Sequence, residues 1–126
     1  MRRVAAPAFA LLFFAACDSP NPDVAATPTP LDATGPYVSV AVDNHFHDIH
    51  PEDHKMIGAD RAFVVRNEGR NLHNVTILGT NVNRDVRPGR SLTLDPVGKT
   101  LDPGTYRIVC KYHDYVGMTG EITIAE

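Results

Sequence analysis

The chain has 126 residues, enough for one ordinary domain with a single small core and too few for a multidomain enzyme. Twelve Lys and Arg against fifteen Asp and Glu leave a formal net charge of −3, which speaks against a nucleic-acid binder and its basic face. No apolar run approaches the roughly 18 residues that a spanning helix needs.

The N-terminus reads as an export signal: Arg2 and Arg3 form the positive region, and Ala8 to Ala16 form a short apolar run ending in small residues. Phe14-Ala15-Ala16-Cys17 resembles a bacterial lipobox, with Phe14 where Leu is usual. The resemblance implies cleavage before Cys17 and a diacylglyceryl group on its sulfur. The other reading is a plain secretory signal cut elsewhere, for instance after Ala26. Asp18 resembles the residue that retains such lipoproteins at the inner membrane of enteric bacteria. With residues 1–17 set aside as signal, the remainder carries a net charge of −5, from 10 basic and 15 acidic residues. Residues 18–36 hold Pro20, Pro22, Pro28, Pro30 and Pro36, half of the ten prolines, and read as an extended linker. On a lipidated Cys17 this spacer would hold a domain off a membrane surface, outside the cytoplasm on the periplasmic or cell-surface side.

Residues 37–126 read as an all-β domain. Strands are expected at 37–42, with Val38, Val40 and Val42 on one face, then at 62–65, 74–78, 91–94, 105–110 and 121–124. Glu68-Gly69, Arg87-Pro88-Gly89, Asp95-Pro96, Asp102-Pro103-Gly104 and Gly117 to Gly120 punctuate them. No window carries a helical period of ten residues. The pattern predicts an antiparallel β-sandwich or barrel.

If Cys17 is lipidated, Cys110 is the only remaining thiol of an exported chain, and without a disulfide partner it calls for another occupant. A metal serves, because coordination holds sulfur as thiolate. Cys110-Lys111-Tyr112-His113-Asp114-Tyr115-Val116-Gly117-Met118 offers a thiolate, an imidazole and a thioether within one loop, and His73 opens an upstream strand. Two His, one Cys and one Met are the donor set of a blue-copper site, trigonal His₂Cys with a weak axial Met; zinc prefers sets without thioether.

On these residues the domain resembles the cupredoxins, the small type 1 copper proteins of the plastocyanin, amicyanin and pseudoazurin kind. Asp43-Asn44-x-Phe46, Asn67-Glu68-Gly69, Leu72-His73-Asn74-Val75, Pro103-Gly104-Thr105-Tyr106 and Gly117-Met118-Thr119-Gly120 all carry the likeness. It implies a Greek-key β-sandwich of about seven to eight strands and one copper. His73, Cys110 and His113 would be equatorial ligands and Met118 the axial one. The Asn74 side chain would tie the two ligand loops together. Tyr112 and Leu72 stand where many members have Pro, and Tyr112 therefore has a backbone N–H free to donate to the Cys110 sulfur.

The implied function is one-electron transfer to or from a transient partner such as a cytochrome or a copper enzyme, by a monomer that is not itself an enzyme. His113 would lie nearest the surface. Leu72, Tyr112, Tyr115 and Val116 either surround it as an apolar docking patch or cover the core edge. A net charge of −5 would favour a basic partner. The alternative is a copper chaperone or storage protein, motivated by the His-rich segment from His45 to His54. There an extended 45–47 puts His45 and His47 on one face with Phe46 inward, and a helical turn opened by Pro51 puts His50 and His54 on one side. With Asp48, Glu52 and Asp53 these four His either form a second metal site or a solvated loop.

Overall fold

A computed structural model describes residues 35–126; the expected signal peptide, Cys17 and linker residues 18–34 lie outside the described residues. Nine strands follow in chain order: β1 (Tyr37–Val42), β2 (His45–His47), β3 (Met56–Gly58), β4 (Phe63–Asn67), β5 (His73–Ile77), β6 (Asn83–Val86), β7 (Ser91–Leu94), β8 (Gly104–Val109) and β9 (Thr119–Ala125). The six expected strands all form; β2, β3 and β6 raise the number above the expected seven to eight. The helical content among the described residues is three single 3₁₀ turns, Pro51–Asp53, Val97–Lys99 and Asp114–Val116. None of it is long and apolar enough to cross a membrane.

The strands form two sheets, β2-β1-β4-β7 and β3-β9-β8-β5-β6. The expected all-antiparallel pairing is corrected: β1 runs parallel to β4 and β3 parallel to β9. The cause is the path between β1 and β4. After β2 the chain crosses to the other sheet, lays β3 along β9, and returns beside β1, so β4 enters in the same direction as β1. The β1–β2 turn has a local cause. Asp43 and Asn44 both take positive φ (50° and 60°), the backbone of a tight hairpin that Asn and Asp tolerate, and Val42 pairs directly with His45.

The core between the sheets centres on Phe46, Phe63, Ile49, Ile57, Ile77, Ile108, Ile122 and Ile124, all essentially inaccessible to solvent. On β9, Gly120, Ile122 and Ile124 face inward. Gly120 has no substitute there, because a Cβ would stand 2.6 Å from Ile49 Cδ1. On β1 the shared valine face is the half-exposed one, and Tyr37, Ser39 and Ala41 point inward. The polar pair is accommodated by hydrogen bonds: Ser39 Oγ donates to the His47 carbonyl at 2.8 Å and the Tyr37 hydroxyl donates to the Asp48 carbonyl.

Burial, followed by the fields of Asp48 and Asp53, pushes the Tyr37 pKa from 10.0 up to about 12. A raised folded-state pKa contributes stability that is complete below pH 10 and lost as pH climbs through 12. Tyr37→Phe should therefore cost about 1 kcal/mol at neutral pH, the typical net value of one hydrogen bond. It should also flatten the alkaline limb of a denaturation-versus-pH series; an unchanged limb would assign that limb to other groups.

Candidate metal centre

Strand direction brings the chemistry to one end of the sandwich. β1 runs toward that end, so Val42 lies beside the loop that precedes His73, while Tyr37 starts five residues away, about 17 Å along the strand. His73 opens β5, Cys110 follows the last residue of β8, and Met118 precedes the first residue of β9.

Asn67, at the end of β4, shapes the approach to His73. It is fully buried; its side-chain nitrogen donates to the Asn71 and Val86 carbonyls, both at 2.8 Å, and its oxygen accepts from Gly69 N–H at 2.9 Å. One amide thus satisfies two backbone groups of the 67–73 turn and ties the turn to the end of β6. Gly69 passes close over the ring, since a Cβ there would stand 3.5 Å from His73 Nε2. The loop after β8 closes on itself. His113 N–H donates to the Cys110 carbonyl at 3.0 Å, Met118 N–H to the His113 carbonyl at 3.1 Å, and Cys110 N–H to the Met118 carbonyl at 3.1 Å. Gly117 ends the 3₁₀ turn at φ 87°, a left-handed conformation that side chains disfavour.

These two segments bring His73, Cys110 and His113 into one group, with their donor atoms all within 4.8 Å of one another. His73 Nδ1 stands 3.3 Å from His113 Nδ1, and His113 Nδ1 stands 3.4 Å from Cys110 Sγ. His73 and Cys110 are buried, and His113 is half-buried. Burial first, and then the neighbouring His113, lower the pKa of His73 below the ordinary imidazole value, which keeps that ring neutral. Its Nε2 is buried with no hydrogen-bond partner. Two ring nitrogens and a sulfur aimed at one point, rather than at ordinary partners, fit a bound ion. Metal–nitrogen and metal–sulfur bonds near 2.0 and 2.3 Å in a trigonal plane separate donors by about 3.5 Å, close to the spacing found. Met118 is fully buried beside this group, with its backbone bonded to both loop donors.

The surroundings of the sulfur differ from expectation in two ways. Asn74 N–H does donate to Cys110 Sγ, at 3.3 Å. Its side chain, however, does not reach the ligand loop; it donates to Asn83 and Asp85 of β6 at 2.9 and 2.8 Å and accepts from Thr76. Tyr112 N–H makes no bond to the sulfur among the described residues; Tyr112 acts through its hydroxyl, which donates to Asp85 Oδ2 at 2.8 Å. Asp85 also accepts from Lys111 Nζ at 3.0 Å. Hydrogen bonds from Asn74, Lys111 and Tyr112 hold its pKa down at about 2. Asp85 was not legible as a site residue in the sequence, because 27 positions separate it from Tyr112; Asn67 was marked only as part of the Asn67-Glu68-Gly69 likeness, without its role in the turn.

In the His-rich segment, β2 exposes His45 and His47 on one face with Phe46 in the core. Their ring centroids are 6.5 Å apart. Pro51–Asp53 does form one turn, but 3₁₀, with His50 capping one end and His54 leaving the other at φ 46°. Among the described residues, His45, His47, His50 and His54 with Asp48, Glu52 and Asp53 contribute no group of three converging donors. Two exposed histidines on a strand leave most of an ion's coordination to water. Calorimetric titration of protein whose buried donor group is already filled should therefore show no second stoichiometric event. One that vanished in His45→Ala/His47→Ala would restore the second site.

No family model matches the chain, and no curated protein does. Solved structures do. A reduced mutant of amicyanin is 16% identical, with 72% of this chain and 83% of that one covered and a TM-score of 0.57. A reduced Cu(I) form of a second amicyanin mutant is 17% identical over 77% and 92%, with a TM-score of 0.58. A copper-containing nitrite reductase from Thermus scotoductus is 19% identical over 72% of this chain, which corresponds to 22% of that one, with a TM-score of 0.57. The likeness is one of fold: the described residues form a two-sheet β-sandwich like that of amicyanin.

Proposed function

We propose that the chain is a one-electron carrier whose single type 1 copper would be held by His73, Cys110, His113 and Met118. The observation that carries this reading is the convergence of two imidazole nitrogens and one thiol sulfur at the end of an amicyanin-like sandwich. Copper held there supplies exchange between Cu(II) and Cu(I). The protein's part is positional. His73 and Cys110 are fixed in the packed core, and the Asn74 N–H donates to the sulfur and orients it. A donor set that does not rearrange between the two oxidation states keeps the cost of each transfer low.

His113 is the donor least buried, which makes it the route for the electron. Leu72, Tyr112, Tyr115 and Val116 are exposed on the two loops at this end, Tyr115 at 80%. An apolar surface of this kind suits brief docking with a cytochrome or copper enzyme. Charge does not add to it. Glu68 is paired with Arg66 and Asp85 with Lys111, so these carboxylates are neutralised locally and offer a basic partner no focus here. The carrier is read as monomeric, extracytoplasmic and tethered through Cys17; the first described strand starts at Tyr37, the end of β1 away from the His73 loop. The chain matches only a fifth of the nitrite reductase, and it is read as a carrier rather than as an enzyme.

Voltammetry in the presence of a strong Cu(I) chelator tests the role. A carrier gives a reversible one-electron wave and keeps its copper through many cycles. Loss of copper to the chelator on reduction would instead favour delivery of the metal, the work of a chaperone.

A further inference from the structure

We propose that Asp85 is the positioning residue of the site, the one group that clamps the His113-bearing loop onto the His73-bearing strand. The inference rests on the reading of His73, Cys110 and His113 as the donor set. Asp85 lies on β6 directly across from Asn74 in the β5–β6 pairing, and Asn74 is the residue next to His73. Its Oδ1 accepts from Asn74 Nδ2 at 2.8 Å and from Lys111 Nζ at 3.0 Å, and its Oδ2 accepts from Tyr112 Oη at 2.8 Å. Lys111 and Tyr112 are the two residues between Cys110 and His113. A single carboxylate thus touches the segments that carry all three donors, while touching none of the donors itself.

The pairing in this region makes the clamp necessary. β5 and β8 pair only at Thr76–Val109 and Ile77–Ile108, so the ladder between them stops short of His73 and Cys110. Beyond it, the Asn74 N–H to Cys110 sulfur bond and the His73–His113 imidazole contact hold strand and loop together. The side chains of Lys111 and Tyr112 reach across that opening to β6. Lys111 Nζ also lies 4.9 Å from the Tyr112 ring centroid, so the two side chains and the carboxylate brace one another. With Asn74 committed to Asn83, Asp85 and Thr76, no other side chain makes the link between β6 and residues 111–112 among the described residues.

Asp85 is exposed, and replacing it leaves the core untouched. The test therefore reads local opening. In metal-free Asp85→Ala, the buried Cys110 thiol should react with an aromatic disulfide reagent about tenfold faster than in the parent, the result of losing charge-assisted bonds that resist loop opening. Amide exchange at residues 110–113 should rise with it, while exchange in β1, β4 and β9 stays unchanged. Asp85→Asn keeps one acceptor, for Asn74, and its amide nitrogen can donate in turn to the Tyr112 oxygen, so it should recover most of the protection. Tyr112→Phe removes one arm and should fall between. In copper-loaded protein, Asp85→Ala should alter the copper hyperfine splitting and the reduction potential, and Asp85→Asn should restore both. Unchanged thiol reactivity and loop exchange in a folded Asp85→Ala would overturn the clamp. Because those two readouts use metal-free protein, they decide the role of Asp85 whether or not the copper reading stands.

Discussion

Cys110→Ser should abolish the intense visible absorption of the copper-loaded protein and most of its copper affinity, with the sandwich still folded. The reasoning starts from the donor. Thiolate is the soft, strongly donating ligand of the set, and its charge transfer to Cu(II) is the source of colour in a trigonal His₂Cys site. A serine hydroxyl at the same point is neutral near pH 7 and a poor copper ligand. Ser is close in shape to Cys, so the fully buried position gains only a small void and one polar group, which the Asn74 N–H now 3.3 Å from the sulfur can satisfy. Thermal stability of the metal-free variant should fall by no more than about 1–2 kcal/mol. A Cys110→Ser protein that stayed intensely coloured would place the copper elsewhere.

Met118→Leu should keep the colour and raise the reduction potential. The equatorial donors are left in place, so the absorption persists. Loss of a thioether weakens Cu(II) more than Cu(I), and each tenfold of selective weakening raises a one-electron potential by about 59 mV. Leu is nearly isosteric with Met, and Met118 is fully buried, so the packing cost should stay below about 1.5 kcal/mol. Spectroelectrochemical titration reads the result. An unchanged potential would remove Met118 from the donor set and leave it as core packing.

The loop from Cys110 to Met118 was legible because its chemistry is linear: three donor types fall within nine residues, and the turns and closing hydrogen bonds of the loop are local. His73 was legible only in company with them. Strand alternation identified β1 but not its inward face. Period two says which residues share a side and leaves the choice of side to packing, and here Tyr37, Ser39 and Ala41 go in because Ser39 and Tyr37 find carbonyl partners on the chain at His47 and Asp48. β6, Asn83-Arg84-Asp85-Val86, shows no apolar alternation, since it is an edge strand with three exposed residues in four. It exists because β5 offers it a ladder. Asp85 was hidden with it, and the tie between strand and loop expected of the Asn74 side chain runs instead through that carboxylate, which Lys111 and Tyr112 also reach. The parallel pairs β1–β4 and β3–β9 depend on where the chain crosses between sheets, which no local pattern encodes.

The optical and electron paramagnetic resonance spectra of the protein loaded with one equivalent of Cu(II) test the copper centre most directly. A thiolate–copper centre built from Cys110, His73 and His113 predicts one copper per chain, an intense visible charge-transfer band and an unusually narrow copper hyperfine splitting. Weak visible absorption with the wide hyperfine splitting of an ordinary tetragonal Cu(II) complex would contradict it.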